Sequence, residues 1–573
     1  MNTVTASNKR ERYQQLRGAM WSERSSFDAH WREIAEFTRP RRIRLQITDR
    51  NKGDRRNQSI IDSTGTFAAR TLASGLHAGL TSPARPWFRL TTPDPDLAEM
   101  ESVKEWLHQV TQRMQTVFTQ SNLYNALPIV YGDMGTFGTA AMAVLEDTRD
   151  LFRAYTYPIG SYALGIDHRG VVTTFIRDYE LTVRQVVEEF GVRRGYHDID
   201  WSNISMFVKD QWDRSQYTEP VQVTWVVCPN DHYDRQRLGQ HWPWTSCHFE
   251  SGGEPGNAGN GNRFLRESGF YTFPFMCPRW DVTSPEDVYG DGCPGMDALG
   301  DVKQLQLMQK KKAQAIAKQV DPPVQGPSAL RTQKTSLLAG DITYVDVREG
   351  NQGLRSIHDV NINLADMTAD IREVQYRIQR ANYEDLFLML ATSDRLQGVQ
   401  PPTAREVEER HEEKLLALGP VLERTNDELL DPLIDRVYML MDANGLLPPP
   451  PEELTDVKLK VEYISILAQA QKLVGIVGQD RLMQSIIPLS TVFPEALAKI
   501  DINQIIDNYG EMLGVDPRSI RTNEEAEAIV AEQKQAQAEM AAAQQAEMLA
   551  GAANKAANAP MDTDNALARM MGQ

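Results

Sequence analysis

Apolar residues recur at steps of three and four near the start of the chain. Phe27, His30, Trp31, Ile34 and Phe37 fall on one face and predict a helix that Pro40 ends. AARTLASGLHAGL, Ala68 to Leu80, predicts a second helix of small residues and leucines, broken by SPARPWFRL. Trp106, Leu107, Val110, Met114, Val117 and Phe118 predict a third. Between Thr139 and about Phe275 the period changes. Runs such as TAAMAVLE, VVTTFIRDY and VQVTWVVCP, β-branched and aromatic and separated by turn residues, predict strands of a mixed sheet. SGGEPGNAGNGN, Ser251 to Asn262, reads as a flexible loop inside that region.

The second half returns to helical spacing. A long helix is predicted from Pro294 to Val320, stopped by Asp321-Pro322-Pro323, and a small strand-rich piece containing DITYVDV (Asp341 to Val347) follows. A helix from about Ala365 to Leu390 carries Ile371, Val374, Ile378 and Ala381 on one stripe, before the polar loop ATSDRLQGVQPP. Thr403 to about Asn444 is helical with an interruption near Gly419-Pro420, and it ends at Gly445 ahead of the run Pro448 to Pro451. Val461 to Tyr509 is again helical in pattern. Beyond Asn523 an Ala/Gln/Glu/Met-rich tail has high helix propensity but few large apolar residues with which to build a core.

The helix after Pro294 carries the most informative pattern. At about 100° per residue, Lys303, Lys310, Lys311 and Lys318 fall within an arc of about 100°, with Val302, Leu305, Met308, Ala313 and Ile316 gathered opposite. A lone helix of this kind is an ordinary solvated surface. Two such helices bracketing a strand-rich insert read instead as a projecting hairpin with a tip. A second basic feature follows the first helix: Arg39, Arg41, Arg42, Arg44, Arg50, Lys52, Arg55 and Arg56 are opposed only by Asp49 and Asp54. It reads either as a solvated loop or as a site for an acidic partner.

Composition narrows the function. With 573 residues there is room for three or four domains, and 41% hydrophobic against 24% charged residues is the balance of a packed globular protein, which excludes collagen, mucin and whole-chain coiled coil. The longest apolar run, LFLMLA from Leu386 to Ala391, falls far short of the roughly 20 residues that cross a bilayer. The N-terminus has no apolar stretch behind its charges, so the expectation is a protein that stays in the cytoplasm of its maker. A net charge of −17 argues against clamping nucleic acid with the whole surface, so any such contact is local or weak.

No catalytic, cofactor or metal constellation emerges. Cys228, Cys247, Cys277 and Cys293 are widely spaced with no CxxC pair, which argues against zinc or a disulfide framework. GxxxxGK[ST], HExxH and GxSxG are absent. Gly290, Gly292 and Gly295 spell GxGxxG at a helix start, but SPEDVY precedes them in place of an apolar strand and Pro294 interrupts them. A strand-to-helix turn needing positive φ is the simpler reading. His197, Asp198 and Asp200 read as a surface turn, as do Asp94 and Asp96 around Pro95.

Several strings resemble the portal proteins, the head-to-tail connectors of short-tailed, T7-like bacteriophages. They are NKGDRRNQSIIDSTGTFAARTLASGLHAGLTSPARPWFRL, YGDMGTFGTAAMAVLED, YPIGSYALGIDHRGVVTTFIRDYELTVRQ, VYGDGCPGMDALGDVKQLQ into VDPPVQGP, and TAREVEERHEEKLLALGPVLERTNDELLDPLIDRVY followed by GLLPPPPEEL. The resemblance implies an α+β subunit of a ring, dodecameric in the virion, at one vertex of the head. Its channel carries double-stranded DNA in packaging and ejection, and it works without cofactor, enzymatic activity or membrane. Implied partners are the terminase motor, major capsid and scaffold proteins, and a tail adaptor protein.

On that template, residues 1–293 form a wing of helices and mixed sheet, 294–320 and 365–390 two stem helices, and 321–364 a small strand-containing clip. Residues 391–402 form the channel loop, 403–447 further wing helices, 448–519 the crown, and 520–573 a tail that is a barrel or disordered. DNA-channel candidates are Lys303, Lys310, Lys311, Lys318, Arg395, Gln397 and Gln400, and the basic-patch candidates are Arg41, Arg42, Arg44, Arg55 and Arg56. Two readings from other classes stand beside this one: a nucleotide-binding enzyme using the Gly290 to Gly295 turn, and an internal virion protein without a channel.

Overall fold

The computed structural model describes residues 6–49, 53–94, 100–191, 199–234, 241–251, 264–320, 364–387, 418–454, 459–465 and 523–557, with a few short stretches between them. The chain divides into two compact units. One comprises residues 1–90, 106–450 and 460–471, and the other residues 91–105, 451–459 and 472–573.

The first unit opens with α1 (Ala6–Phe37), which extends well before the predicted stripe. Its C-terminal half buries Trp31, Ile34 and Ala35 in the main core, and Trp31 Nε1 donates to Phe137 O at 3.0 Å. Its N-terminal half uses a second core, where Tyr13 and Met20 meet Ala163, Ile176, Val226, Cys247 and Phe249. Buried arginines mask this half as polar. Arg24 is 2% exposed and donates to Gly160 O at 2.7 Å and Tyr162 O at 3.1 Å, while Arg17 pairs with buried Asp178. Then come α2 (Thr64–Leu80), β1 (Phe88–Thr91), α3 (Glu101–Gln120) and α4 (Leu123–Phe137), the last ended by left-handed Gly138.

Strands β2 (Ala141–Asp147), β3 (Leu151–Tyr157), β4 (Tyr162–Ile166) and β5 (Val172–Thr182) lead to helix α5 (Met206–Asp213). The strands resume with β6 (Pro220–Pro229), β7 (Trp244–Glu250), β8 (Arg266–Phe270) and β9 (Phe275–Met276). They make a five-stranded sheet of order β4-β5-β6-β7-β8 and a three-stranded sheet of order β3-β2-β9. Every pairing in both is antiparallel, with registers such as Ile176 opposite Val226 and Val226 opposite Cys247. The mixed sheet expected from sequence is therefore an antiparallel one among the described residues. In the five-stranded sheet neighbours in sequence pair as neighbours in space, which needs no crossover, whereas in the smaller sheet β9 returns to pair with β2. Phe175 stacks on Phe275 with ring centroids 3.7 Å apart, joining the two sheets through an aromatic layer with Tyr157, Tyr162 and Trp225.

A short helix α6 (Pro294–Asp297) precedes α7 (Leu299–Val320), and α8 (Leu364–Ala381) returns antiparallel to it. Between them, β10 (Val324–Gln325) pairs with β11 (Arg355–Ser356), while the predicted strand at 341–347 lies outside the described residues. The helix expected to reach Leu390 is interrupted after Ala381 and helical residues resume at 384–387, with 388–390 outside the described residues. Asn382 Nδ2 donates to Ile378 O at 2.9 Å, and Tyr383 takes a left-handed φ of 54°, so the side chain competes with the backbone ladder.

Residues 403–417 of the next predicted helical region, up to the expected interruption, lie outside the described residues; 418–425 are helical and run into a π-turn at Asn426–Leu430 ahead of Pro432, which has no N–H to give. Then α9 (Asp431–Ala443) ends before Gly445, whose φ is 66°. Residues expected to begin another helix instead form β12 (Lys460–Tyr463), paired with β1. In the second unit, α10 (Asn523–Ala557) is a 35-residue helix, and most of its described side chains are exposed.

Candidate functional site

The roots of α7 and α8 are buried together against α2. Ala68, Ala298, Val302, Leu305, Ile371, Val374 and Ile378 form one apolar cluster. A polar knot locks the same place. Gln306 Oε1 accepts from the amides of Ile61 at 2.7 Å and Asp62 at 2.8 Å. The Asp62 carboxylate accepts from Gln309 Nε2 at 2.8 Å, Gln375 Nε2 at 2.9 Å and the Thr64 amide at 2.8 Å. Burial pulls the Asp62 carboxyl up, but these hydrogen bonds outweigh it and hold its pKa below the ordinary value.

Beyond the root, the predicted seam of α7 is only half used. Val302 and Leu305 are buried and Met308 packs beside them, but Ala313 is exposed and Ile316 is 40% exposed. Leu307, 57% exposed, sits within the lysine arc. Of the four lysines, Lys303 pairs with Glu33 of α1 and is not available as a free cation. Lys310, Lys311 and Lys318 are exposed and form no ion pair among the described residues. Arg395, Gln397 and Gln400 lie outside the described residues.

The basic segment after α1 folds into a wall rather than a loose loop. Arg42 makes a two-pronged contact with buried Asp133 of α4, its Nε 3.1 and 3.0 Å from the two carboxylate oxygens, and Arg39 Nη1 lies 3.2 Å from the same group. Gly132 makes room for Arg39, because a Cβ there would overlap the guanidinium. Arg56 pairs with Asp49, and Arg41 Nη2 donates to Asp54 O at 3.0 Å. Together with the start of α2 these residues enclose an open cavity of about 480 Å³, lined in part by Arg39, Arg41, Arg42, Arg56, Ser63 and Arg70.

Arg44 and Arg55, expected in the same patch, do not line the cavity; the Arg44 backbone is bridged to Ile159. Arg70, on α2, lies outside the basic run, and only helical geometry carries it into the cavity. Its spacing of one helical turn from Thr66 and two from Ser63 was the available signal.

The glycine motif has packing reasons throughout. A Cβ on Gly290 would overlap Gly138 O and one on Gly295 would overlap Thr136 O, while Gly292 has a φ of 59°. The Gly290 amide donates to Thr139 Oγ1 at 2.8 Å. The start of α6 is thus packed against the end of α4 rather than open to a pyrophosphate. His197, Asp198 and Asp96 lie outside the described residues, and no group of three metal-ligating side chains occurs among the described ones. No helix among the described residues is long and apolar enough to cross a membrane.

Residues 10–520 match the family described as bacteriophage head to tail connecting protein. The chain is 45% identical over 540 residues to the portal protein of Salmonella phage epsilon15, covering 94% of each chain. It is 42% identical over 542 residues to the probable portal protein of Bordetella phage BPP-1, covering 94% of this chain and 93% of that one. A family match over residues 10–520 and two likenesses of this extent place the chain in the family of bacteriophage head-to-tail connecting proteins.

Proposed function

We propose that the chain is a portal subunit whose copies close into a dodecameric ring at one vertex of the phage head. Double-stranded DNA passes through the ring's channel during packaging and ejection. The ring is passive: a terminase motor docks on it while the head fills, a tail adaptor protein replaces the motor, and major capsid and scaffold proteins hold its rim. In this reading residues 1–293 and 403–447 are wing, 294–320 and 365–390 stem, 321–364 clip, 391–402 channel loop, 448–519 crown and 520–573 tail.

Likeness to portal proteins over 94% of the chain carries this proposal. The paired helices support it, because the outer half of α7 leaves Ile316 and Val320 at least 40% exposed, an apolar surface that neighbouring copies would cover. Lys310, Lys311 and Lys318 on the same helix offer salt-sensitive phosphate contacts without sequence readout, as a sliding duplex requires.

Negative-stain imaging of the purified protein tests it. Closed rings with a central hole are expected, and monomers alone across a wide range of concentration and salt would overturn it.

A further inference from the structure

The helix pair carries opposite charge on its two flanks. Arg377 of α8 pairs with Asp301 of α7 at 3.3 Å, which marks one flank and sets these two residues level. At about 100° per residue, Asp366, Asp370 and Glu373 fall within about 40° of Arg377 on α8, while Arg372 lies on the far side. On α7, Lys303, Lys310, Lys311 and Lys318 are centred about 130° round from Asp301. Lys312 shares the Asp301 side, and the outer half of α7 contains no Asp or Glu. Lys310, Lys311, Lys318, Asp370 and Glu373 are exposed and form no ion pair among the described residues. Because α8 runs antiparallel to α7, Asp370 stands level with about residue 308 and Asp366 with about residue 312, the height of Lys310 and Lys311. Leu307, 57% exposed, lies in the lysine arc, and Tyr376, 53% exposed, stands beside the acidic stripe.

We propose that these flanks steer a second copy of this chain, the lysine edge of α7 in one copy docking against the acidic stripe of α8 in the next. Resting on the ring reading above, this pairing names the faces that meet. Two different faces that complement each other make a heterologous contact, the kind that closes into a ring by rotation. Rotation about an axis running along the pair preserves height, so lysines and carboxylates on one level meet. Exposed ion pairs add little to final stability, but complementary potentials raise encounter rates by roughly 10- to 1,000-fold. Steering does not bury the ammonium groups, so the finished ring keeps them for phosphate.

Two full-length variants test it. One combines Lys310→Glu, Lys311→Glu and Lys318→Glu, which makes both flanks acidic, and the other combines Asp370→Lys and Glu373→Lys, which makes both basic. All five side chains are exposed, so the folded structure is expected to survive, as circular dichroism would verify. Each protein is dissociated in urea and diluted into buffers from low to high salt, and assembly is followed by light scattering and imaging. Either variant alone should assemble about tenfold more slowly than wild type at low salt, with the gap narrowing as salt rises. An equimolar mixture should recover the wild-type rate, because acidic and basic copies then alternate and every junction is again complementary, whereas misfolding is not cured by mixing. Wild-type rates for either variant alone at low salt, or slow assembly that mixing fails to restore, would overturn it. So would unchanged assembly with lost retention of a duplex oligonucleotide, which would reserve the lysine edge for nucleic acid. Wild type that stays monomeric would sink the ring reading and this pairing with it, whereas wild-type rings that both variants match in rate refute only the pairing.

Discussion

Cys228, Cys247, Cys277 and Cys293 are all buried, and burial pushes their thiols up, to about 11 for Cys228 and about 12 for Cys247 and Cys293. Little thiolate exists at neutral pH and access is blocked. A thiol reagent should therefore label the native protein slowly and count four groups only after denaturation. The glycines of the α6 turn separate two kinds of constraint. Gly292→Ala meets nothing within 4 Å and suffers only its positive φ, a cost of about 1 kcal/mol. Gly295→Ala would drive a methyl into the Thr136 backbone and should cost about 3 kcal/mol or more, or abolish folding. Denaturation midpoints of the two variants check the contrast; equal midpoints would mean the turn can shift.

At the scale of elements, the polar knot between α2, α7 and α8 controls how firmly the helix pair is rooted. Asp62→Ala removes the acceptor shared by Gln309, Gln375 and Thr64 and should destabilise by about 1–2 kcal/mol. The folded pKa of Asp62 lies below its ordinary value of 3.8, so its contribution is present above that value and is lost as pH falls through the folded pKa. Acid titration of stability should accordingly be shallower in the variant below about pH 4.

On α7, replacing Lys303, Lys310, Lys311 and Lys318 with Gln should leave rings intact, since only the exposed Lys303–Glu33 pair is lost, worth about 0–1 kcal/mol. Salt-dependent DNA retention should drop, most at low ionic strength. Wild-type retention at every salt concentration would remove these lysines from the channel.

Residue pattern exposed the second half of α1, α3 and the core stripe Ile371, Val374 and Ile378 of α8, because each puts apolar side chains on one face. It missed the first half of α1, where Arg10, Arg17 and Arg24 are covered by the sheet and answered by backbone carbonyls or Asp178. It missed β12, whose partner β1 is more than 300 residues away and leaves no local signature. Within the arginine cavity, the basic run marked Arg39, Arg41, Arg42 and Arg56, but Arg70 is recruited by a helix that reads as packing of small residues and leucines.

For the whole molecule, a net charge of −17 coexists with a lysine row and an arginine-lined cavity, so attraction for anions is confined to small areas of an otherwise repelling surface. The tail adds little to the packed interior: the described side chains of α10 from 530 to 540 are exposed, including Met540 at 68%. Truncation after residue 522 should leave ring formation unchanged by imaging, and loss of assembly would mean that tails associate with one another. The helix pair has a mechanical side as well. It is gripped at one end by the Asp62 knot and the apolar cluster, and from Gln306 to Val320 the rise of about 1.5 Å per residue makes a lever of about 21 Å. A sideways load at the far end arrives at the root multiplied by that arm. There it meets the glutamine–carboxylate hydrogen bonds to Asp62 and the close-packed side chains of the apolar cluster with α2. The root is thus where such a load is borne.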